Sequence, residues 1–181
     1  HEKGMKFEEQ VDLPWNPGAI VSDINPLGKV PVLIPDDGNA IYDSSVIIEY
    51  LETLRHEPRL IPADSIQRVR VLQIEALADG IADATVLIIL EKHRIKKVQS
   101  VDWIARQQKK IDAGIAALGE YLGESLGFDD CKLSIADIAT ACTLGYLDLR
   151  LPDYNWRDNA TNLAALSASM EKRMSFRATK P

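Results

Sequence analysis

Residues 29 to 51, KVPVLIPDDGNAIYDSSVIIEYL, hold the groups in this chain best suited to chemistry. Asp43, Ser44 and Ser45 stand where a helix begins. A helix N-terminus offers free amide protons and the positive end of the helix dipole, and a serine hydroxyl adds one more donor. Such a start binds a carboxylate; equally, Asp43 or Ser44 serves as a plain N-cap, which any helix needs. The chain before it favours the first reading. Val30 and Pro31 head a β-branched run, and strand, turn, strand and helix start bring them to the same edge of a small sheet as Asp43 and Ser44. With a cis bond before Pro31, the amide and carbonyl of Val30 point away from the sheet and can pair with an extended, peptide-like ligand.

A second serine and aspartate, in Ser134-Ile-Ala-Asp137, are spaced as a capping box, with Leu133 and Ile138 as a hydrophobic staple. A hydrolytic pair would need a histidine, and none is near in sequence, so Ser134 and Asp137 are read as a structural cap. His56 falls in an irregular segment. His93 sits among Lys92, Arg94, Lys96 and Lys97 near a helix end, where solvation or dipole pairing accounts for it. Cys142 is read as small core packing on a helix.

These residues need elements to position them. Lys6 to Val11 is a strand candidate, and Pro14, Asn16, Pro17 and Gly18 then impose a loop. VPVLI and AIY, joined by PDDGN, predict a β-hairpin, because Asp37-Gly38 suits positive backbone angles. Ile47, Tyr50, Leu51 and Leu54 predict a helix ending near Arg55. HEPRLIPADS, residues 56 to 65, has no period, and beyond it the strand signals stop. A long helix follows from Ser65 to about His93, with Val69, Leu72, Ala76, Leu77, Ile81, Ala84 and Ile88 at spacings of three and four. Three more are expected, from Val101 to Glu124, from Ser134, and from Ala160 to Met174. The organisation is a small α/β part over residues 1–55, a linker over 56–64 and an all-helical part over 65–181.

Composition sets the outer limits. The chain has 181 residues, 46% apolar and 27% charged, and a net charge of −6, so no overall field draws it to nucleic acid or anionic lipid. No apolar run approaches the roughly 20 residues of a membrane helix. The start, HEKGMKFEEQ, is too charged for a signal peptide and reads as a helix end closed by Gly4. The two cysteines, Cys131 and Cys142, form neither a disulfide framework nor a metal spacing. The expectation is a cytoplasmic protein without nucleic acid, membrane or metal partners.

NPLGKVPVL, then DSSVIIEYL, then LSIADIA in a helical second half, resemble the glutathione S-transferase family of bacterial type, without assigning a class. The resemblance implies a thioredoxin-like N-terminal domain followed by an all-helical C-terminal domain, in a homodimer. It assigns Val30 and Pro31 to the cysteinyl part of glutathione, Asp43 and Ser44 to its γ-glutamyl carboxylate and amine, and Lys29 to its glycyl carboxylate. Asp43 stands where the family more often has Glu or Gln. Asp79 resembles an acidic position that reaches glutathione across a dimer interface. The family's thiol-activating Tyr, Ser or Cys lies between the first strand and first helix. The expectation is therefore that a natural N-terminal segment of roughly 20 to 25 residues precedes His1 and carries it.

The chemistry implied is detoxifying transfer. A hydrogen bond lowers the thiol pKa of glutathione, the cosubstrate, and the thiolate attacks a small hydrophobic electrophile. That second substrate is expected in an apolar pocket between the two parts, touching the VLIILEKHR end of the first long helix. A glutathione-dependent isomerase, dehalogenase or disulfide reductase uses the same fold, and so does a non-catalytic binding or scaffold protein.

Overall fold

The computed structural model describes residues 1–129 and 132–180. Cys131 lies outside the described residues. The chain forms two compact units, His1–Arg59 and Leu60–Pro181.

The first unit has little regular structure before its helix. A turn at His1–Gly4 closes with the Gly4 amide donating to the His1 carbonyl at 2.7 Å, and Gly4 has a positive φ of 60°. Lys6–Val11 is not a strand: it runs irregularly, with no ladder alongside it among the described residues. Short charged and apolar alternation does not make a strand without a partner to receive its backbone groups. The Asp12 carboxylate then accepts the Val21 amide at 2.7 Å and fixes the start of the short helix α1, Val21–Ile24. The hairpin reduces to one antiparallel bridge, Leu33 with Ile41, exchanging bonds of 2.9 and 2.8 Å. Pro31 and Pro35 flank Leu33 and have no N–H to extend the ladder. Helix α2, Ser44–Leu54, follows.

An ion pair that has no periodic signature holds the end of α2. Lys3 is only 5% exposed, and its ammonium is 2.8 Å from the Glu52 carboxylate. It also donates to the carbonyls of Arg55 at 2.7 Å and Pro58 at 2.9 Å. Three acceptors therefore meet three ammonium protons, the condition under which a buried charge is tolerated. The two carbonyls lie at and just beyond the α2 C-terminus, where a cation also complements the dipole.

The second unit is helical. Helix α3, Ser65–His93, starts on Asp64, whose carboxylate accepts the Ile66 and Gln67 amides at 3.1 and 2.9 Å. Helix α4, Val101–Leu122, starts on Ser100, which accepts the Trp103 amide at 3.1 Å. The two run antiparallel. Gln73 donates to the Tyr121 hydroxyl at 3.0 Å near one end, and midway a Cβ on Gly114 would lie 2.6 Å from Cγ1 of the buried Ile81. Helix α5, Ile135–Arg150, is tied to α3 by Thr143, whose hydroxyl donates to the Ala78 carbonyl at 3.1 Å.

The face that α3 buries differs from the simplest apolar stripe. Val71, Ile74, Ala78, Ile81, Ala84 and Ile88 are in the core, whereas Val69 is 65% exposed and Ala76 is also exposed. This helix has apolar residues on more than one side, so periodicity alone admits two stripes. Cys142 is likewise exposed, not core packing. Its neighbours Ala141 and Leu144 face inward, and one residue is a rotation of about 100°. Neighbouring atoms still desolvate its thiol and push its pKa up. The expected helix from Ala160 to Met174 divides into α6, Thr161–Met170, and α7, Met174–Ala178. The intervening Glu-Lys-Arg has no apolar residue to bury, and Met174 is 84% exposed.

Ser134 and Asp137 form the expected capping box at the start of α5. The Asp137 carboxylate, 2% exposed, accepts the Ser134 amide at 2.8 Å, the Ser134 hydroxyl at 2.7 Å and the Phe128 amide at 2.9 Å. It therefore fixes the preceding loop as well as the helix. Gly127 allows this approach, since a Cβ there would lie 3.0 Å from Oδ1.

Two predictions follow from these polar centres. Asp137→Ala orphans buried donors and should cost about 3 kcal/mol, read as a lower urea midpoint with an unchanged slope. Lys3→Ala removes the buried ammonium from the Glu52 carboxylate and from the Arg55 and Pro58 carbonyls, and should destabilise the first unit by about 3 kcal/mol. Amide hydrogen exchange over Glu49–Leu54 should quicken, with α3–α5 protection unchanged.

Candidate functional site

The approach to the site is set by Asn25. Its side chain is 2% exposed. The Nδ2 donates to the Lys29 carbonyl at 2.8 Å and Oδ1 accepts the Leu27 amide at 3.0 Å, an Asx turn followed by a tether to the site segment. Between them Gly28 takes a positive φ of 60°. Its amide donates to the Asn25 carbonyl at 2.8 Å, and a Cβ there would meet Ser22 Oγ at 3.0 Å. The Asn-Pro-Leu-Gly spacing carries the signal for this turn, although it does not say that Asn25 is buried.

Lys29 and Val30 leave this turn exposed, Val30 at 52%. The Val30–Pro31 bond is cis, as is the bond between Tyr42 and Asp43. The single Leu33–Ile41 bridge ties the segment that carries Pro31 to the one that carries Asp43. A turn in which the Gly38 amide donates to the Pro35 carbonyl at 2.9 Å joins the two segments. Lys29, Val30, Pro31, Asp43 and Ser44 thus all belong to the first unit, on two adjoining segments. Asp79 is on the exposed side of α3 in the second unit, and His56 and His93 are both exposed.

At the start of α2, Asp43 occupies the N-cap position but closes no side-chain hydrogen bond onto the helix. Instead Ser45 Oγ donates to Asp43 Oδ1 at 2.6 Å. That hydroxyl is the main reason the Asp43 carboxyl lies below the usual range, opposed by desolvation, with the Val46 and Ser45 amides pulling in the same direction as the hydroxyl. Asp43 is consequently an exposed carboxylate, charged at neutral pH and held in orientation by Ser45. The Ser44 hydroxyl has no hydrogen-bond partner among the described residues. An uncapped helix start, a free hydroxyl and an oriented carboxylate can together take a group that carries both an anion and a cation, such as an α-amino acid end. Ser45 is the contributor that sequence reasoning missed. Its Asx-like pairing with residue 43 is one of several hydrogen bonds open to a serine there. Among the described residues, no cluster of His, Cys, Asp and Glu side chains could hold a metal ion, and no helix is long and apolar enough to cross a membrane.

Residues 1–54 match the glutathione S-transferase N-terminal domain and residues 101–169 the C-terminal domain. The uncharacterized GST-like protein YibF of Escherichia coli strain K12 is 39% identical over 180 residues, which span 99% of this chain and 89% of that one. A crystal structure of a glutathione S-transferase from Methylobacillus flagellatus with glutathione bound superposes with a TM-score of 0.95 at 39% identity, over 99% of this chain and 89% of that one. A probable maleylacetoacetate isomerase of Drosophila melanogaster is 37% identical over 120 residues, 64% of this chain and 46% of that one. With both of its domains matched and relatives of this identity along nearly its whole length, the chain belongs to the glutathione S-transferase family.

Proposed function

We propose that this protein is a glutathione transferase, whose first unit holds glutathione along Lys29–Pro31 and at the start of α2. The observation that carries the reading is the uncapped α2 start, with the free Ser44 hydroxyl beside the Asp43 carboxylate, in a chain 39% identical to a structure with glutathione bound. The γ-glutamyl carboxylate takes the Ser44 hydroxyl and the first α2 amides. Its ammonium pairs with Asp43, which Ser45 orients. The backbone N–H and C=O of Val30 pair with the cysteinyl main chain, and Lys29 meets the glycyl carboxylate. Holding both ends of an extended tripeptide fixes the sulfur between them, and orientation supplies much of the rate. The thiolate then attacks a small hydrophobic electrophile, and as the carbon–sulfur bond forms a leaving group departs from that carbon with its bonding pair.

A glutathione-dependent isomerase is the second reading, supported by the maleylacetoacetate isomerases among the relatives. In that chemistry the thiolate adds to a double bond and is later expelled, so glutathione is not consumed. Monitoring free thiol during turnover separates the two, because a transferase depletes it in step with product.

The transferase reading extends to a cytoplasmic homodimer. Ile66, 77% exposed, and Val69, 65% exposed, on the outer side of α3 support pairing of two copies there. Asp79, also on the exposed side of α3, is the residue proposed to reach the partner's glutathione.

Calorimetric titration of the full-length protein with glutathione should give saturable binding. Ser44→Ala should weaken it by about 1 to 3 kcal/mol without changing the thermal midpoint. Unaltered affinity in the variant would remove Ser44 from the site and, with it, the assignment of the α2 start.

A further inference from the structure

The connection between α3 and α4 is the densest positive block in the chain. Lys92, Arg94, Lys96 and Lys97 lie beside His93, and no acidic residue intervenes between Glu91 and Asp102. All five basic residues are exposed, in a protein whose overall charge is −6. Arg94 pairs with Glu91 at 2.9 Å, whereas Lys92, Lys96 and Lys97 have no ion-pair partner among the described residues. Apolar side chains are interleaved with them: Ile95 is 70% exposed, Val98 47%, Val101 77% and Trp103 40%.

The loop is built and held. Gln99 Nε2 donates to the carbonyls of Lys92 and Arg94, both at 2.8 Å. Glu91 accepts the Ser100 amide at 2.7 Å, and Lys96–Val98 form a single 3-10 turn. These bonds use the backbone, Gln99 and Glu91 to fix the shape, leaving the cationic and apolar side chains outward. Because α3 and α4 are antiparallel, the loop caps a helical hairpin. Exposed cations around exposed aliphatic side chains match a surface that offers anions above hydrocarbon.

We propose that residues 92–103 form a peripheral docking tip for anionic lipid bilayers. Lys92, Lys96 and Lys97 meet the headgroup phosphates, while Ile95 and Val98 enter the boundary with the acyl chains and Trp103 lies at headgroup depth. A nucleic acid would be served better by a groove and stacking rings than by exposed isoleucine and valine. The expectation from net charge, that no membrane is bound, averages over the molecule. A cluster such as this acts over about one Debye length and escapes that average. Each lysine near an anionic surface raises partitioning about fivefold.

The test is co-sedimentation of the full-length protein with phosphatidylcholine vesicles, with and without phosphatidylglycerol, at low and high salt. The proposal expects sedimentation only with the anionic vesicles, weakened by salt. It should fall about tenfold or more in Lys96→Glu/Lys97→Glu and several-fold in Ile95→Ser, with helical circular dichroism and thermal midpoint retained in both variants. No sedimentation, equal sedimentation with neutral vesicles, or binding that survives both substitutions overturns it. So does retention on polyphosphate or nucleic acid without binding to vesicles.

Discussion

The structure turns on the uncapped start of α2. A helix begins with amide protons that no residue of its own can accept, and most helices recruit a side chain to cover them. Helices α3, α4 and α5 do so through Asp64, Ser100 and the Ser134–Asp137 pair. Helix α2 has an aspartate in the capping position, yet Asp43 accepts the Ser45 hydroxyl and closes no side-chain cap onto the first amides. Such a start, next to an oriented carboxylate, suits the ligand of mixed charge that we propose it receives.

Much of the rest of the first unit serves to hold that start in place. The Leu33–Ile41 bridge fixes the register between the two segments that carry the candidate residues. Asn25 and Gly28 set the direction in which Lys29 and Val30 leave the preceding turn. At the far end of α2, Lys3 ties Glu52 to the carbonyls of Arg55 and Pro58, so that end of the helix is fixed by buried polar contacts. Burial contributes less here, since Val46 and Leu54 of α2 are each about half exposed. The second unit relies on close packing instead, as where α4 meets α3 at Gly114 and Ile81.

What could be read from residues alone divides along physical lines. Helix limits were legible where a cap opens a long run of helical spacing: α3 runs from Ser65 to His93 and α4 starts at Val101, because Asp64 and Ser100 are strong caps. The Ser134–Asp137 box was legible for the same reason. The buried face of α3 was not, because its apolar residues spread over more than one side. Nor was the exposure of Cys142, which depends on rotation by a single residue. Lys3 with Glu52, and Asn25 beneath Lys29, link positions through buried polar contacts that leave no periodic trace. Near the candidate site, the expected hairpin is present only as the Leu33–Ile41 bridge, and the pairing of Ser45 with Asp43 depends on a rotamer that leaves no trace in the sequence.

The central claim is that the open α2 start receives glutathione. Amide nuclear magnetic resonance of the full-length protein during a glutathione titration addresses it residue by residue. The account predicts that the Ser44, Ser45 and Val46 amides shift together with that of Val30, saturating along one binding curve, while the amides that follow the capped starts of α3 and α5 stay unmoved. Saturable shifts elsewhere, with those at Ser44 and Ser45 unchanged, would contradict it.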